Sequence, residues 1–367
     1  MEDLGLKLFN NIYKDKTVAL TGHTGFKGSW LTLWLKKLGA EVAGLSIEPI
    51  SNPSHWELLN LDIFEKKTDI RNLREVKEFI SNTKPQILFH LAAQPLVRSS
   101  YLDPLETWST NVMGTANVLE ACREEPNIKA IVVITSDKCY ENKEISIGYK
   151  EIDHLGGHDP YSSSKAATEL LVSSYRKSFF NKSDSPLVST VRAGNVIGGG
   201  DWSEDRLIPD LMRAINEKKT LEIRSPNATR PWQHVLESLS GYLILGQKLL
   251  EGNYDFAQPW NFGPNDDGNR TVEEVLESLK EVLPEINWYV TQASQPHEAN
   301  LLHLDSSKAR KKLEWKPVWT IEEGIIETAN WYKALFEKNM VLSTAQLDAY
   351  VKKAQDRGLN WSRFESS

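Results

Sequence analysis

Two cysteines, Cys122 and Cys139, are all that 367 residues provide, too few for a disulfide framework to hold a chain of this length. No apolar run approaches the ~20 residues that a membrane-spanning helix needs. Positive charge is in deficit: 43 Lys and Arg stand against 50 Asp and Glu, a net charge of −7. That balance works against non-specific binding to nucleic acid, so any anionic ligand has to be met by a local cluster of cations. The opening stretch "MEDLGLKLFNNIYKDK" lacks the basic flank and apolar centre of a secretory signal, and a cytoplasmic location is the expectation. Internal repeats and low-complexity tracts are missing as well. What is left, 40% hydrophobic and 25% charged, is an ordinary globular composition, long enough for one large α/β unit or two coupled lobes.

The segment "TVALTGHTGFKGSWLTLWLKKLGAEVAGLSI" holds an apolar run, a glycine cluster, a helical pattern and a second apolar run, which together predict a βαβ unit. Its helix is expected to start near Phe26, to carry Leu31, Trp34, Leu35 and Leu38 on one stripe, and to stop at Gly39. Further strands are expected at 86–94, 129–136 and 187–197, with helices near 71–82, 105–125 and 160–180. Strands alternating with helices predict an α/β fold, a Rossmann-type doubly wound parallel sheet. Beyond Gly198 loops such as "SPNATRPWQ" and "FGPNDDGNR" suggest a smaller C-terminal lobe. The expected division is 1–196 for dinucleotide binding, 197–232 and 265–345 for the substrate lobe, and 346–367 as a C-terminal helix with a polar tail. Residues 233–264 are expected to return to the first lobe, with "PWNFGP" as an edge strand.

Gly22, Gly25 and Gly28 of "TGHTGFKG" fall between a strand and a helix. Glycines there let the backbone turn sharply and approach a pyrophosphate, whose charge meets N–H groups at the helix N-terminus. The same cluster could be a turn that only packs a helix on a sheet, and the strand-to-helix setting favours the dinucleotide reading. A carboxylate about 20 residues further on would hold the adenosine ribose. Here Ser46 takes the ribose position and Glu48 lies just beyond. Glu48 either binds ribose or is a solvated loop charge, which leaves NAD and NADP unseparated at this position.

In "DPYSSSKAATE" Tyr161 and Lys165 stand four apart at the head of a helix and so share a face. A phenol with an ordinary pKa near 10 is a poor base at neutral pH, but a nearby ammonium and an oxidised nicotinamide would favour its phenolate. The bland alternative is an exposed pair on a surface helix. Upstream, "ITSDKCY" sets Ser136, Asp137 and Lys138 in a row where a strand meets a loop. Either three proton carriers converge there, or the last two are a loop charge pair. Adjacent strand residues point to opposite faces unless the strand has already broken.

TGxxGFxG, a strand ending in Ser136 and a downstream YxxxK resemble the extended short-chain dehydrogenase/reductase family, over roughly residues 17–320. "AAQPLVR", "STNVMGT", "TSDKCYEN", "VRAGNVIGGGDW", "RPWQHVLE" and "WNFGPND" are similar to its nucleotide-sugar dehydratases, those acting on CDP-sugars. The resemblance implies tightly held NAD, a CDP-sugar substrate, a homodimer and no metal. It implies that C4 of a hexose is transiently oxidised, water is eliminated across C5 and C6, and hydride returns to C6. Ser136 would bond the C4 oxygen, Asp137 would protonate the C6 hydroxyl, Lys138 would take the C5 proton, and Tyr161 with Lys165 would take the C4 hydroxyl proton. Many such dehydratases carry glutamate where Lys138 stands, so the parts of Asp137 and Lys138 could be exchanged. A lysine base must first lose its own proton, which needs burial or neighbouring positive charge.

The resemblance further implies cofactor contacts from Gly22, Thr24, Gly25, Phe26, Lys27, Gly28 and Ser46, with Asp69 and Ile70 near adenine. Leu91, Ala92, Ala93 and Gln94 would run along the cofactor, and Thr135 would lie near nicotinamide. Leu91 also reads, with His90, as core, and Asn111 as a structural hydrogen-bonding residue. Asn195, Arg206, Arg230 and His297 are the expected substrate contacts, the arginines because a planar guanidinium grips phosphate oxygens in pairs. Two other readings stay open: a nucleotide-sugar 4-epimerase or reductase on the same scaffold, and a dinucleotide-sensing regulator. An epimerase needs no elimination pair, and such regulators typically lose YxxxK.

Overall fold

A computed structural model describes residues 8–145, 147–223, 225–265, 268–291 and 301–363. The chain enters as β1 (Thr17–Thr21), α1 (Phe26–Lys37), β2 (Glu41–Ser46), α2 (His55–Leu59), β3 (Phe64–Lys67), α3 (Leu73–Thr83) and β4 (Ile87–His90). It continues through α4 (Val97–Leu102), α5 (Pro104–Trp108), α6 (Thr115–Arg123), β5 (Ala130–Ile134), α7 (Pro160–Ser178) and β6 (Leu187–Ala193). Seven strands form one sheet in the order β11-β6-β5-β4-β1-β2-β3, where β11 is Trp260–Phe262. Every pairing in it is parallel.

The central strands are short apolar runs buried on both faces, as a sheet covered by helices on each side requires. Successive side chains go to opposite layers. Ala130, Val132 and Ile134 of β5 belong to the core shared with Trp30, Leu31 and Trp34 of α1. Ile131 and Val133 belong to the core shared with Val76 and Phe79 of α3 and Val118 and Leu119 of α6.

After β6 come β7 (Val196–Ile197), α8 (Leu207–Asn216), β8 (Leu221–Ile223), β9 (Thr229–Pro231), β10 (Gln233–His234) and α9 (Val235–Leu250). α9 packs on β5 and β6, and β11 lies in parallel beside β6. The chain closes with β12 (Asn269–Thr271), α10 (Val272–Lys280), β13 (Trp288–Val290), α11 (Ser307–Lys312), α12 (Ile321–Lys338) and α13 (Ser343–Asp356). Among the described residues no helix is long and apolar enough to cross a membrane.

Three expectations need adjusting. The strand expected at 187–197 is interrupted after Ala193 and resumes at Val196–Ile197; Gly194, in the gap, is crowded, since a Cβ there would lie 2.9 Å from Pro231 Cγ and 3.1 Å from Asp137 Oδ2. The helix expected at 105–125 contains a π-helical turn, Ser109–Gly114, between α5 and α6. The C-terminal segment expected as a helix with a polar tail also reaches the core, for Trp361 is buried, stacked on Phe9 at 5.1 Å and edge-on to Trp34 at 5.7 Å. Burying a large apolar side chain contributes roughly 1.5–3 kcal/mol, so this end of the chain belongs to the core.

Candidate active site

β1 and β4 lie side by side, while the chain builds outward from β1 to β2 and β3, and from β4 to β5, β6 and β11. The crevice at their carboxyl ends is where a doubly wound sheet receives a ligand. The glycine loop fills that position. Gly22 has φ +74°, and a Cβ on it would lie 2.7 Å from Ala92 N; a Cβ on Gly28 would lie 2.1 Å from Gly22 O. Neither residue has room for a side chain. Gly25 caps α1 without a side-chain hydrogen bond, so the N–H groups of the first helical turn face the crevice with no side-chain acceptor at the cap. These residues suit a dinucleotide pyrophosphate.

At the ribose end Thr24 Oγ1 and Ser46 Oγ are 2.7 Å apart. Glu48 is drawn into an ion pair with Lys67 at 2.9 Å, both side chains more than 60% exposed, which corresponds to the solvated-charge alternative. Asp69 is gripped by Arg71. Partial burial works to raise its carboxyl, but the hydrogen bonds and charge of Arg71 outweigh this and hold it low. Ile70 is buried, and its carbonyl accepts from Asn117 Nδ2 at 3.0 Å.

Beyond β4 the half-buried Leu91, Ala92 and Ala93 pass alongside the glycine loop, with Leu91 N donating to Thr21 O at 3.1 Å. The Gln94 side chain is occupied within its own loop: Nε2 donates to Thr107 Oγ1 at 2.9 Å and Oε1 accepts from Leu96 N. Asn111 holds this loop to α7 through the Gln94 backbone and Ser164 Oγ. His90 lies between Thr21 and Thr115 hydroxyls at 2.6 and 2.9 Å, a satisfied core histidine.

β5 ends at Ile134, and by Ser136 the strand has broken. Ser136 caps a 3₁₀ turn, Asp137–Cys139, accepting from Lys138 N at 3.2 Å and donating to Asp137 Oδ1 at 2.9 Å. The strand alternation that would have separated Asp137 from its neighbours therefore does not apply. Ser136 and Asp137 are buried and Lys138 is half-buried. Burial pushes the Asp137 carboxyl up, outweighing the opposing charges of Lys138 and Lys27 and the Ser136 hydrogen bond. A carboxyl so placed keeps its proton more readily, which suits a proton donor.

Tyr161 and Lys165 are buried in the first turns of α7. The expected lowering of the phenol needs both Lys165 and an oxidised nicotinamide. In the structure burial raises Tyr161 to about 12, against a hydrogen bond with Ser136 and the charge of Arg206, while Asp137 adds to the rise. Lys165 instead points its Nζ at Ile134 O, 3.4 Å away, and burial lowers it to about 8. Lys27 reaches towards this group from the glycine loop. Its Nζ is 3.5 Å from Tyr242 OH, and burial first, then the charge of Arg206, lowers it to about 7.

Arg206 starts α8 with Nη1 on Asp201 Oδ2 at 3.0 Å, and its charge is felt by Tyr161 and Lys27. Asn195, half-buried, lies in the break after β6, where its carbonyl accepts from Gln233 N at 3.2 Å. Arg230 is buried in β9, with Nη1 donating to Thr229 O at 3.0 Å. His297 lies outside the described residues.

Some residues of this region escaped the sequence reading. Tyr242 comes from α9, far along the chain, and nothing local marks it. Glu169 and Arg192 form a buried ion pair behind the reactive loop, and Thr135, next to Ser136, donates to it. One signal was there: Glu169 continues the spacing of Tyr161 and Lys165 by another helical turn.

The GDP-mannose 4,6 dehydratase family model matches residues 20–328. The chain is 45% identical to a CDP-glucose 4,6-dehydratase of Salmonella typhimurium, across 93% of this chain and 98% of that one. It is 25% identical to a dTDP-glucose 4,6-dehydratase of the same organism, over 86% and 92% of the two chains. An epimerase structure from Methanothermobacter thermautotrophicus superposes with a TM-score of 0.80 at 23% identity, covering 90% of this chain and 96% of that chain. A dTDP-glucose 4,6-dehydratase from Bacillus anthracis in complex with NAD gives 0.72 at 22% identity, covering 88% and 98%.

Proposed function

The chain belongs to the GDP-mannose 4,6 dehydratase family, and from that premise we propose that it is an NAD-dependent lyase converting CDP-D-glucose to CDP-4-keto-6-deoxy-D-glucose. The CDP-glucose assignment is supported by the 45% identity to the Salmonella enzyme over nearly all of both chains. The likeness to the epimerase structure, at 23% identity, is one of fold. The observation that carries the reaction is the buried Asp137 carboxyl, raised in pKa and bonded to Ser136 in the turn that also presents Lys138. Epimerisation at C4 has no use for that acid.

NAD, when bound, supplies a hydride acceptor that later gives the same hydride back, so no net redox change occurs. The chain's own residues move the protons. Tyr161 takes the C4 hydroxyl proton with Ser136 on the same oxygen; the positive charge of a bound oxidised nicotinamide, with the Lys165 ammonium one helical turn away, would bring the raised phenol down. The resulting ketone acidifies the C5 proton, which the neutral amine of Lys138 removes, and Asp137 protonates the C6 hydroxyl as it leaves as water. Lys27 and Arg206 bring positive charge to the crevice from two sides, and we assign Arg206, Arg230, Asn195 and His297 to the CDP-sugar. Residues 1–196 with 233–264 serve the cofactor, while 197–232 and 265–345 serve the substrate.

A homodimer fits the surface. Tyr101 and Leu102 of α4, Leu105 and Trp108 of α5, and Leu170 of α7 are exposed on three helices that pack together. Apolar side chains gathered in this way suit association with a second copy. A cytoplasmic location accords with the absence of a spanning helix among the described residues. The decisive experiment is incubation with CDP-, dTDP-, GDP- and UDP-hexoses in deuterated water. Deuterium at C5 of a 4-keto-6-deoxy product from CDP-glucose is expected; inversion at C4 with no loss of water would make the protein an epimerase.

A further inference from the structure

The five reactive residues come from two separate pieces of chain. Ser136, Asp137 and Lys138 lie in a turn after β5, and Tyr161 and Lys165 lie on α7. Chemistry that couples C4 oxidation to loss of the C6 hydroxyl needs both pieces held in one register, since a misplacement of about 1 Å can cost on the order of 100-fold in rate.

A buried ion pair joins them. Glu169 sits on α7 one turn beyond Lys165, and Arg192 sits on β6; both side chains are 2% exposed. Arg192 Nε donates to Glu169 Oε1 at 2.9 Å and Nη2 to Oε2 at 2.8 Å, the paired geometry that fixes a guanidinium against a carboxylate. Thr190 Oγ1 adds a bond to Oε2 at 2.7 Å. The reactive turn is tied to this pair at both ends. Thr135, just before Ser136, donates its hydroxyl to Glu169 Oε1 at 2.5 Å. Tyr140, two residues after Lys138, accepts from Arg192 Nη1 at 2.8 Å and donates its hydroxyl to Asn261 Oδ1 on β11, also at 2.8 Å. The guanidinium further lies 4.9 Å from the Tyr140 ring centre.

We propose that Glu169 and Arg192, through Thr135 and Tyr140, are positioning residues that lock the acid–base turn to the tyrosine–lysine helix. The inference rests on the dehydratase reading above. Stability is a poor reason for such a pair, because taking two charges out of water consumes most of what their attraction returns, and apolar replacements are often as stable or more so. What apolar side chains cannot supply is direction. Four hydrogen bonds on one carboxylate and a fifth contact to Tyr140 define where the turn sits relative to α7 to within the tolerance of a hydrogen bond.

The test uses the cofactor-loaded enzyme with CDP-glucose and three variants: Tyr140→Phe, Thr135→Val, and the double replacement Glu169→Leu with Arg192→Met. The first two each remove one tie and leave the pair. Each is expected to stay folded with a melting temperature lower by only a few degrees, and to hold KM within about twofold while kcat falls about 10-fold, with a deeper fall in the double variant. Reduced nicotinamide absorbance should build up during turnover, because oxidation at C4 continues while elimination lags. Wild-type kcat in folded Tyr140→Phe and Thr135→Val would overturn the proposal. So would a kcat that falls only in step with melting temperature and leaves no reduced nicotinamide. A wild-type protein that forms no 4-keto-6-deoxy product from CDP-glucose would sink the dehydratase reading itself, and this inference with it.

Discussion

Replacing Lys165 with methionine should stabilise the nucleotide-free protein while abolishing its activity. The lysine is buried, its ammonium has a carbonyl 3.4 Å away, and burial takes its pKa from 10.5 to about 8. At roughly 1.4 kcal/mol per pH unit, holding that charge inside costs the folded state about 3 kcal/mol. The direction with pH follows from proton binding. Below pH 8 both folded and unfolded chains carry the ammonium, and the full cost is present. Between about 8 and 10.5 the unfolded chain still binds the proton and the folded chain has lost it, so stability rises with pH across that window. The long hydrogen bond to Ile134 offsets about 1 kcal/mol at most. Urea unfolding followed by tryptophan fluorescence should therefore find Lys165→Met more stable than wild type at pH 7 by about 2–3 kcal/mol. The two curves should converge near pH 10.5, and the difference between them cancels the contributions of Lys27 and other lysines. A variant less stable than wild type at pH 7, or a difference that does not change with pH, would refute the reasoning.

Gly28→Ala places a Cβ 2.1 Å from Gly22 O, and NAD affinity measured by calorimetry should drop at least about 100-fold because the loop cannot close over the pyrophosphate. Asp137→Asn should still oxidise C4 but stall before water loss, so that stopped-flow absorbance shows reduced nicotinamide persisting after substrate is mixed in; equal loss of both steps would remove Asp137 from the acid role. Arg206→Met should raise KM for CDP-glucose by about 10-fold or more, the scale of a lost charge-assisted hydrogen bond, with a smaller change in kcat. Glu48→Ala, by contrast, should leave NAD binding within about twofold, since Glu48 is held in an exposed ion pair with Lys67 of the kind that contributes little.

Local rules account for much of the architecture. The βαβ start, the buried runs of β4, β5 and β6 and the helix carrying Tyr161 and Lys165 all follow from side-chain periodicity, because that periodicity is the direct consequence of which face must be buried. The glycine loop was legible for a steric reason: at Gly22 and Gly28 the backbone leaves no room for a Cβ. The proximity of Ser136, Asp137 and Lys138 needed only adjacency along the chain.

Other features depended on residues distant in sequence. That β5 ends before Ser136, which caps a 3₁₀ turn, decides whether Asp137 shares its surroundings, and Gly194 after β6 lies close to both Pro231 and Asp137. The pKa values of Tyr161, Lys165 and Lys27 moved by burial, a property of the whole packed molecule, and for Tyr161 burial works against the lowering that a nicotinamide and Lys165 would bring. Glu169 and Arg192 meet only because α7 crosses over β6, and Tyr140 reaches Asn261 only because β11 lies beside β6. Sequence alone thus determined which groups are available and which backbone turns are permitted, because sterics and periodicity act over a few residues. Folding decided which charges lose water and which distant side chains share one hydrogen-bonded joint, because desolvation and contact depend on what the rest of the chain packs against them.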